Sequence, residues 1–292
     1  MQLSFAMEYF GDCRNAIDFY ISIFDGAEVE YRTFREMPAA EGLGISGSGL
    51  DMVWKSELRI VFGENVLRLR LSDSVLTAMK NDVGFSKPLY HPVVSIAYDE
   101  EDYVRGLFGK LYGGKNSEDI FKGDTADPYG IRWRYQRESN RAISYCLSFD
   151  GFCREVISFY ESVFQLKAER LVKYGDLPWA DGLSEAGKEM IFSAVLCFVE
   201  GECGHSLMLR DSVDAAISGV NSYEKNALLF YHGMYNPVFE MECSDKMFLT
   251  KVFDKIREGA RLNRPLVSDT AQVLHGSLID RYGICWNFSS GL

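Results

Sequence analysis

Four histidines, seven cysteines and a scatter of carboxylates and arginines are the groups in this chain that could hold a metal, attack a substrate or bind an anion. His91, His205, His232 and His275 stand far apart, and each is expected as a structural histidine rather than a ligand or base. The cysteines at 13, 146, 153, 197, 203, 243 and 285 form no Cys-x-x-Cys pair and do not space like a zinc site. Several lie inside apolar runs, which is the usage of buried thiols in a reducing compartment. Glu240 and Glu242 could serve as a general base only where the surroundings raise their pKa, and salt bridging is the competing role. No Gly-x-Ser-x-Gly, His-Glu-x-x-His, phosphate-loop or dinucleotide fingerprint is present. The glycine-rich run "GLGISGSGL" at 42–50 lacks the Lys and the following helix of a phosphate cradle, and is expected as a flexible rim over a cavity.

The elements that must position these groups come in repeats. "DPYGIRWRY" at 127–135 returns as "DRYGICWNF" at 280–288, with five of nine positions identical. "CRNAIDFYISIF" at 13–24 returns as "CREVISFYESVF" at 153–164, with seven of twelve identical. "RLSDS" at 70–74 answers "MLRDS" at 208–212, and "HPVVSIAYDEED" answers "NPVFEMECSDKM". Apolar residues at 13, 16, 17, 20, 21 and 24 predict an amphipathic helix that Asp12 could cap. "LSFAMEYF" before it, and "EVEYRTFRE", "DMVWKSELRIVF" and "NVLRLRLS" after it, read as strands. A second round of strand, helix and closing strand follows in each half, so the chain reads as four βαβββ units. The repeated phrase is a tight turn at Asp127–Gly130 and Asp280–Gly283, with Gly supplying positive φ. Trp133 and Trp286 alternate with polar neighbours and are expected to anchor the last strand in the core. Between "HPVVSI" and "DPYG" the first half is eight residues shorter than the second, which predicts the loss of most of a strand.

At 292 residues the chain suits two domains, expected at 1–138 and 139–292. With 47% hydrophobic and 25% charged residues it can bury a sizeable core. A formal net charge of −11 argues against nucleic acid and anionic membrane surfaces as partners, because binding a polyanion needs concentrated Lys and Arg. No apolar run spans a membrane, and "MQLSFAMEYFGDC" has no basic start or small-residue cleavage site, so a cytoplasmic protein is expected.

The four units, the "CREVISFYESVF" helix, the "DLP" turn, "LMLRDS" and the closing Asp-x-Tyr-Gly-x-x-Trp together resemble the PhnB-like branch of the vicinal oxygen chelate superfamily, over nearly the whole chain. That superfamily includes glyoxalase I, extradiol dioxygenases and bleomycin- and fosfomycin-resistance proteins. The resemblance implies an α+β fold: two glyoxalase-like half-open barrel domains related by pseudo-twofold symmetry. It also implies chelating His, Glu or Gln residues, one from each of four strands. Carried over by pattern, those places fall at Phe5 and Tyr145, at Arg70 and Met208, at Val93 and Val238, and at Arg134 and Asn287. None is a usual ligand for a divalent cation, so no metal and no other cofactor is expected. Strand alternation places Met7, Arg68, Arg70, Glu240, Glu242 and Cys285 in one set, and Leu147, Arg210, Ser95, Arg132 and Arg134 in another. If the family's habit of building each site from both halves holds, Arg70 meets Glu240, while Arg132, Arg134 and Arg210 gather without a carboxylate and suit a small anion.

Three functions fit these residues. The first is a metal-free binder of a small, anionic or aromatic molecule. The second is a glyoxalase-like or dioxygenase-like enzyme with an atypical metal site, and the third is a scaffold whose cavities are filled by its own side chains, for which 20 Phe and 16 Tyr give material. A monomer with an internal pseudo-dimer, or a homodimer, is expected.

Overall fold

The computed structural model describes residues 2–38, 40–62, 65–80, 93–114, 126–137, 142–198, 206–219 and 238–291. The chain divides into two compact units, Ser4–Ile143 and Ser144–Leu292, the latter joined by Met1–Leu3.

The first unit opens with strand β1 (Gln2–Tyr9), helix α1 (Cys13–Ile23) and strands β2 (Glu28–Thr33), β3 (Val53–Phe62) and β4 (Asn65–Asp73). A short helix α2 (Val75–Lys80) follows, then β5 (Val93–Ala97), α3 (Glu101–Leu111) and β6 (Arg132–Gln136). The second unit repeats the plan with β7 (Ala142–Phe149), α4 (Cys153–Phe164), β8 (Ala168–Lys173), α5 (Glu185–Glu189), β9 (Ile191–Cys197), β10 (Ser206–Asp211) and α6 (Val213–Ser218). It ends with β11 (Val238–Glu242), α7 (Lys246–Ile256), β12 (Arg261–Ser268), β13 (Leu274–Ile279) and β14 (Cys285–Ser289).

In β1–β4 the first and last strands pair in parallel and the rest antiparallel, as in β7–β10 and β11–β14. The helix after the first strand makes this possible: it crosses over, and the last strand returns beside the first. The fold is α+β, as the repeats predict. β5 and β6 also pair in parallel. Residues 115–125, between α3 and the closing turn, lie outside the described residues, and with them the expected loss of a strand.

Each helix buries the stripe its period dictates, Cys13, Ala16, Ile17, Tyr20 and Ile23 in α1 and Cys153, Val156, Ile157, Tyr160, Val163 and Phe164 in α4. The N-terminus of α1 is not capped by Asp12, whose carboxylate instead accepts a bond from Asn15 Nδ2 at 2.6 Å. The cap comes from far along the chain. Asp73, in the "SDS" run, accepts from Gly11 N at 2.9 Å, Cys13 N at 3.1 Å and Val53 N at 2.9 Å. Asp211 does the same in the second unit, from Gly151 N at 3.0 Å, Cys153 N at 2.9 Å and Ile191 N at 2.8 Å. One carboxylate thus ties a helix start to two strands, where the helix dipole favours negative charge.

The repeated closing phrase is the second such tie. Asp127 Oδ1 accepts from Tyr129 N at 2.9 Å and Ile131 N at 3.0 Å, and Oδ2 from Trp133 Nε1 at 2.8 Å and Tyr20 Oη at 3.0 Å. Asp280 Oδ1 accepts from Tyr282 N at 2.9 Å and Ile284 N at 3.0 Å, and Oδ2 from Trp286 Nε1 at 2.9 Å and Tyr160 Oη at 2.6 Å. Gly130 and Gly283 close the turns at φ 95° and 83°, which a side chain would strain. Both tryptophans are 0% exposed, as expected of core anchors, with Phe24 5.1 Å from Trp133 and Phe164 5.3 Å from Trp286.

The glycine-rich run is not a free rim. Its two turns of 3-10 helix, Glu41–Leu43 and Gly47–Asp51, deliver Ile45 and Leu50 to a small core around Phe34, Met52 and Ala78. The cysteines at 13, 146, 153, 197, 243 and 285 are free thiols, while Cys203 lies outside the described residues.

Burial pushes the carboxyls of Asp73, Asp127, Asp211 and Asp280 above their usual 3.8, against the downward pull of their donors. The folded chain therefore holds these protons more tightly than the unfolded chain. The stability they contribute is full below the unfolded value and is lost as pH rises through each raised value. Asp280→Asn keeps one acceptor oxygen and turns an amide NH2 onto two donors. Urea titration should show a loss of about 1–3 kcal/mol near neutral pH, the cost of buried donors left unpaired. The same comparison repeated in acid should show the gap between parent and variant widening toward about pH 4, and a gap that narrows there would contradict the raised carboxyl.

Candidate functional site

Register assigns every strand residue to one of two faces. Phe5 pairs with Leu69 and Met7 with Leu71, whereas Ala6 pairs with Arg70 and Glu8 with Ser72. The first set is buried and belongs to the core. Phe5 and Met7 are therefore on the opposite face from Arg70, one residue out of step with the places they were expected to fill. Tyr145 shows the same slip: it pairs with Leu207 and packs on Phe239 at 5.6 Å, whereas Met208 pairs with Cys146 and Arg210 with Ser148. The open face of β1–β4 thus carries Ala6, Glu8, Arg68 and Arg70. The matching face of β7–β10 carries Cys146, Met208 and Arg210, which are buried, and the exposed Ser148, without Leu147, which shares the other face with Tyr145.

On β5–β6, Val93 pairs with Arg132 and Ser95 with Arg134, and all four share a face, while Val94 and Trp133 form the other. On β11–β14, Val238 pairs with Cys285, Glu240 with Asn287 and Glu242 with Ser289, while Phe239, Met241, Trp286 and Phe288 form the core face. Ser277 lies beside Asn287, and His275 beside Ser289.

The charges on these faces differ. Arg68 and Arg70 share the one carboxylate of Glu57 on β3, which lies 3.7 Å from the Arg70 Nε, so the charge of this face is answered in part within its own unit. Sequence reasoning missed Glu57, although the alternation of "SELRIVF" would have put it on the arginine face. His275 Nε2 stands 3.2 Å from Asp269 Oδ2, and Asp269, which also accepts from the backbone N–H groups of Val273 and Ala271, is held below its usual pKa by the Val273 bond first and the histidine after it. His91, His205 and His232 lie outside the described residues.

On β5–β6 two donors are left over. The Ser95 hydroxyl is 1% exposed and has no hydrogen-bond partner among the described residues, and neither does the buried Nε of Arg132. Arg210 is 4% exposed, donates from Nη2 to Tyr174 Oη at 2.9 Å and from Nε to the Asp211 carbonyl at 3.3 Å, and lies over the Phe192 ring at 5.4 Å. Tyr174 was not foreseen, yet the signal was present, because Phe34 occupies the matching place in the first half.

A chelated divalent metal does not fit these faces. Of the places the resemblance assigns, Phe5 and Tyr145 are in the core and Val93 and Val238 carry no donor; beside the remaining four, register brings Ala6 to Arg70, Cys146 to Met208, Ser95 to Arg134 and Glu240 to Asn287. Only the last pair offers two oxygen donors, short of the three or four a Lewis-acid site needs. Among the described residues no three His, Cys, Asp or Glu side chains gather closely enough to hold an ion. Among the described residues the carboxyls whose pKa is displaced upward are the four structural aspartates, so displaced titration here marks ties of the fold.

Two units of this build, each with a helix-backed set of strands and a second strand–helix–strand set, define the glyoxalase fold. Solved structures bear this out: glyoxalase I from Zea mays matches with a TM-score of 0.55 at 14% identity, over 99% of this chain and 92% of that one. A point mutant of that maize glyoxalase I gives a TM-score of 0.58, also at 14% identity, over 99% and 93%. A PhnB protein from Bacillus cereus matches 51% of this chain and 98% of its own at 23% identity, with a TM-score of 0.35. No family model matches the chain, and no curated protein matches it. Among the described residues no helix is long and apolar enough to cross a membrane.

The donor set predicts metal independence. Protein purified without chelator should carry no near-stoichiometric divalent ion by elemental analysis. Added Zn²⁺, Ni²⁺ or Mn²⁺ should leave the thermal midpoint unmoved, because an ion bound only by the folded state would raise it.

Proposed function

We propose that this protein is a metal-free binder of a small anionic molecule, taken up on the open, arginine-bearing faces of its sheets. The observation that carries this is the pair of unfilled donors on β5–β6, the Ser95 hydroxyl and the Arg132 Nε, which have no partner among the described residues. A buried donor without a partner costs about 1–3 kcal/mol, and proteins keep few of them. On this face the cost is offset when a carboxylate or phosphate oxygen arrives, since Arg132 and Arg134 alternate two residues apart and flank the serine. Arginine suits this work because its planar fork binds an oxyanion through two parallel bonds.

The aromatic side chains support a binder over a self-filled scaffold on these faces. Phe5, Tyr145, Trp133, Trp286, Phe239 and Phe288 are turned into the core, and the opposite faces mix small and apolar residues such as Ala6, Val93, Cys146, Met208 and Val238 with serine, arginine and glutamate. Glu240, Glu242 and Asn287 remain the groups from which a glyoxalase-like chemistry would have to be built, and they share a face in the second unit.

The test is anion binding at constant ionic strength, by calorimetry with inorganic phosphate and with benzoate. Arg132→Ala should weaken binding about tenfold or more, since a hydrogen bond to a charged group is worth about 1.5–3 kcal/mol. Ser95→Ala should weaken binding while leaving the urea midpoint unchanged or raised, because no described group would lose a bond to the hydroxyl. Affinities in both variants equal to the parent's would remove β5–β6 as the binding face.

A further inference from the structure

We infer that Arg210 is a second oxyanion-binding group, held ready in the second unit by Tyr174, and that it takes the carboxylate or phosphate of a small ligand end-on. Arg210 belongs to β10, apart from the β5–β6 face, and its case rests on its own surroundings.

The first observation is a buried cation that no described anion answers. A guanidinium has five N–H donors. Arg210 uses Nε on the Asp211 carbonyl and Nη2 on the Tyr174 hydroxyl. Among the described residues no carboxylate pairs with it. The Asp211 carboxylate is committed elsewhere, to the backbone N–H groups of Gly151, Cys153 and Ile191. Burying a charge is costly unless an opposite charge compensates it. The N–H groups left over are on Nη1 and Nη2, the end that meets a carboxylate in a bidentate pair. Beside Arg210 in register stands Ser148, which is exposed, so solvent reaches this face next to the guanidinium.

The second observation is the chain's own internal comparison. In the first unit Phe34 N donates to Met52 O, and in the second Tyr174 N donates to Met190 O, at 3.0 and 2.9 Å. Phe34 packs with Met52, Trp54 and Ala78 as Tyr174 packs with Met190, Phe192 and Ala216. Asp73 and Asp211, each holding three backbone donors, follow directly after Ser72 and Arg210. Ser72 therefore stands where Arg210 stands, and Phe34 where Tyr174 stands. The same local structure forms without the guanidinium and without the hydroxyl that anchors it. The two appear together in one copy and neither in the other, as expected of a pair added for a ligand.

The geometry fixes how the pair works. Tyr174 Oη accepts from Arg210 and donates to the Asp211 carbonyl at 3.0 Å, so its hydroxyl is fully used in aiming the arginine. Phe192 lies against the guanidinium, which leaves its outer edge for the ligand.

The test compares the parent with Tyr174→Phe and Arg210→Met, using inorganic phosphate and benzoate as separate probes against chloride at equal ionic strength. Tyr174→Phe sets a ring like that of Phe34 beside Arg210, leaves the Arg210 Nη2 without its hydroxyl acceptor, and is expected to fold with a lowered thermal midpoint while anion affinity falls severalfold. Arg210→Met is expected to keep or raise the midpoint without anion and to lose at least about tenfold in affinity for one probe. Loss of phosphate binding alone, or of benzoate binding alone, supports the site and names the source of the oxyanion. Should Arg210→Met fail to fold, Arg210→Lys keeps the charge but not the fork, and the same loss is expected of it. Parental affinity for both probes in Tyr174→Phe and in the Arg210 variant, or no binding of either probe by the parent, overturns the proposal. If affinity falls in Arg132→Ala but not in the Arg210 variant, the β5–β6 face binds the anion and Arg210 does not.

Discussion

The fold depends on four buried carboxylates, two in each unit, that accept hydrogen bonds from parts of the chain far apart in sequence. Asp73 and Asp211, each at the end of its own strand, join the start of a helix to the first residue of β3 or β9, and Asp127 and Asp280 each join a turn, a tryptophan and a helix tyrosine. An acceptor-only group inside a protein must be matched by donors on every side, and here each carboxylate meets three or four. Such a group specifies one arrangement of its neighbours, because any other leaves charge or donors unpaired where water cannot reach. The apolar contacts around Trp133 and Trp286 supply burial, and the aspartates determine which partners those rings meet.

This division of labour frees the opposite face of each sheet. The ties lie on the helix side and at strand ends, and the alternation of side chains isolates the other face from them. The two copies have used that freedom differently. On β1–β4 the arginines are answered in part by Glu57, whereas on β10 the arginine is answered by a tyrosine hydroxyl and an aromatic ring. On β5–β6 serine and arginine stand in register where β11–β14 sets glutamate against asparagine. Shared residues thus mark the fold, and the two copies differ on the faces that the ties leave free.

The sequence by itself determined the duplication, the order of the strands and longer helices apart from β12, the turn glycines and the core role of both tryptophans. Each of these is written in local periods or in residue types with narrow backbone preferences, which need no knowledge of what lies across the fold. The short helices α2, α5 and α6 were not legible, being too brief to show a period, and the glycine-rich run was misjudged because its packing is with residues outside it. Face assignment was decided only by tertiary structure. The sequence "LSFAMEYF" alternates either way, and a shift of one residue moves Phe5 from the open face to the core; pairing with Leu69 settles it. The partners of charged groups were decided there too. Asp73 rather than Asp12 caps α1, Glu57 meets Arg70, and Tyr174 holds Arg210, because a hydrogen bond depends on distance in space, and chain separation of tens of residues carries no mark in the letters between.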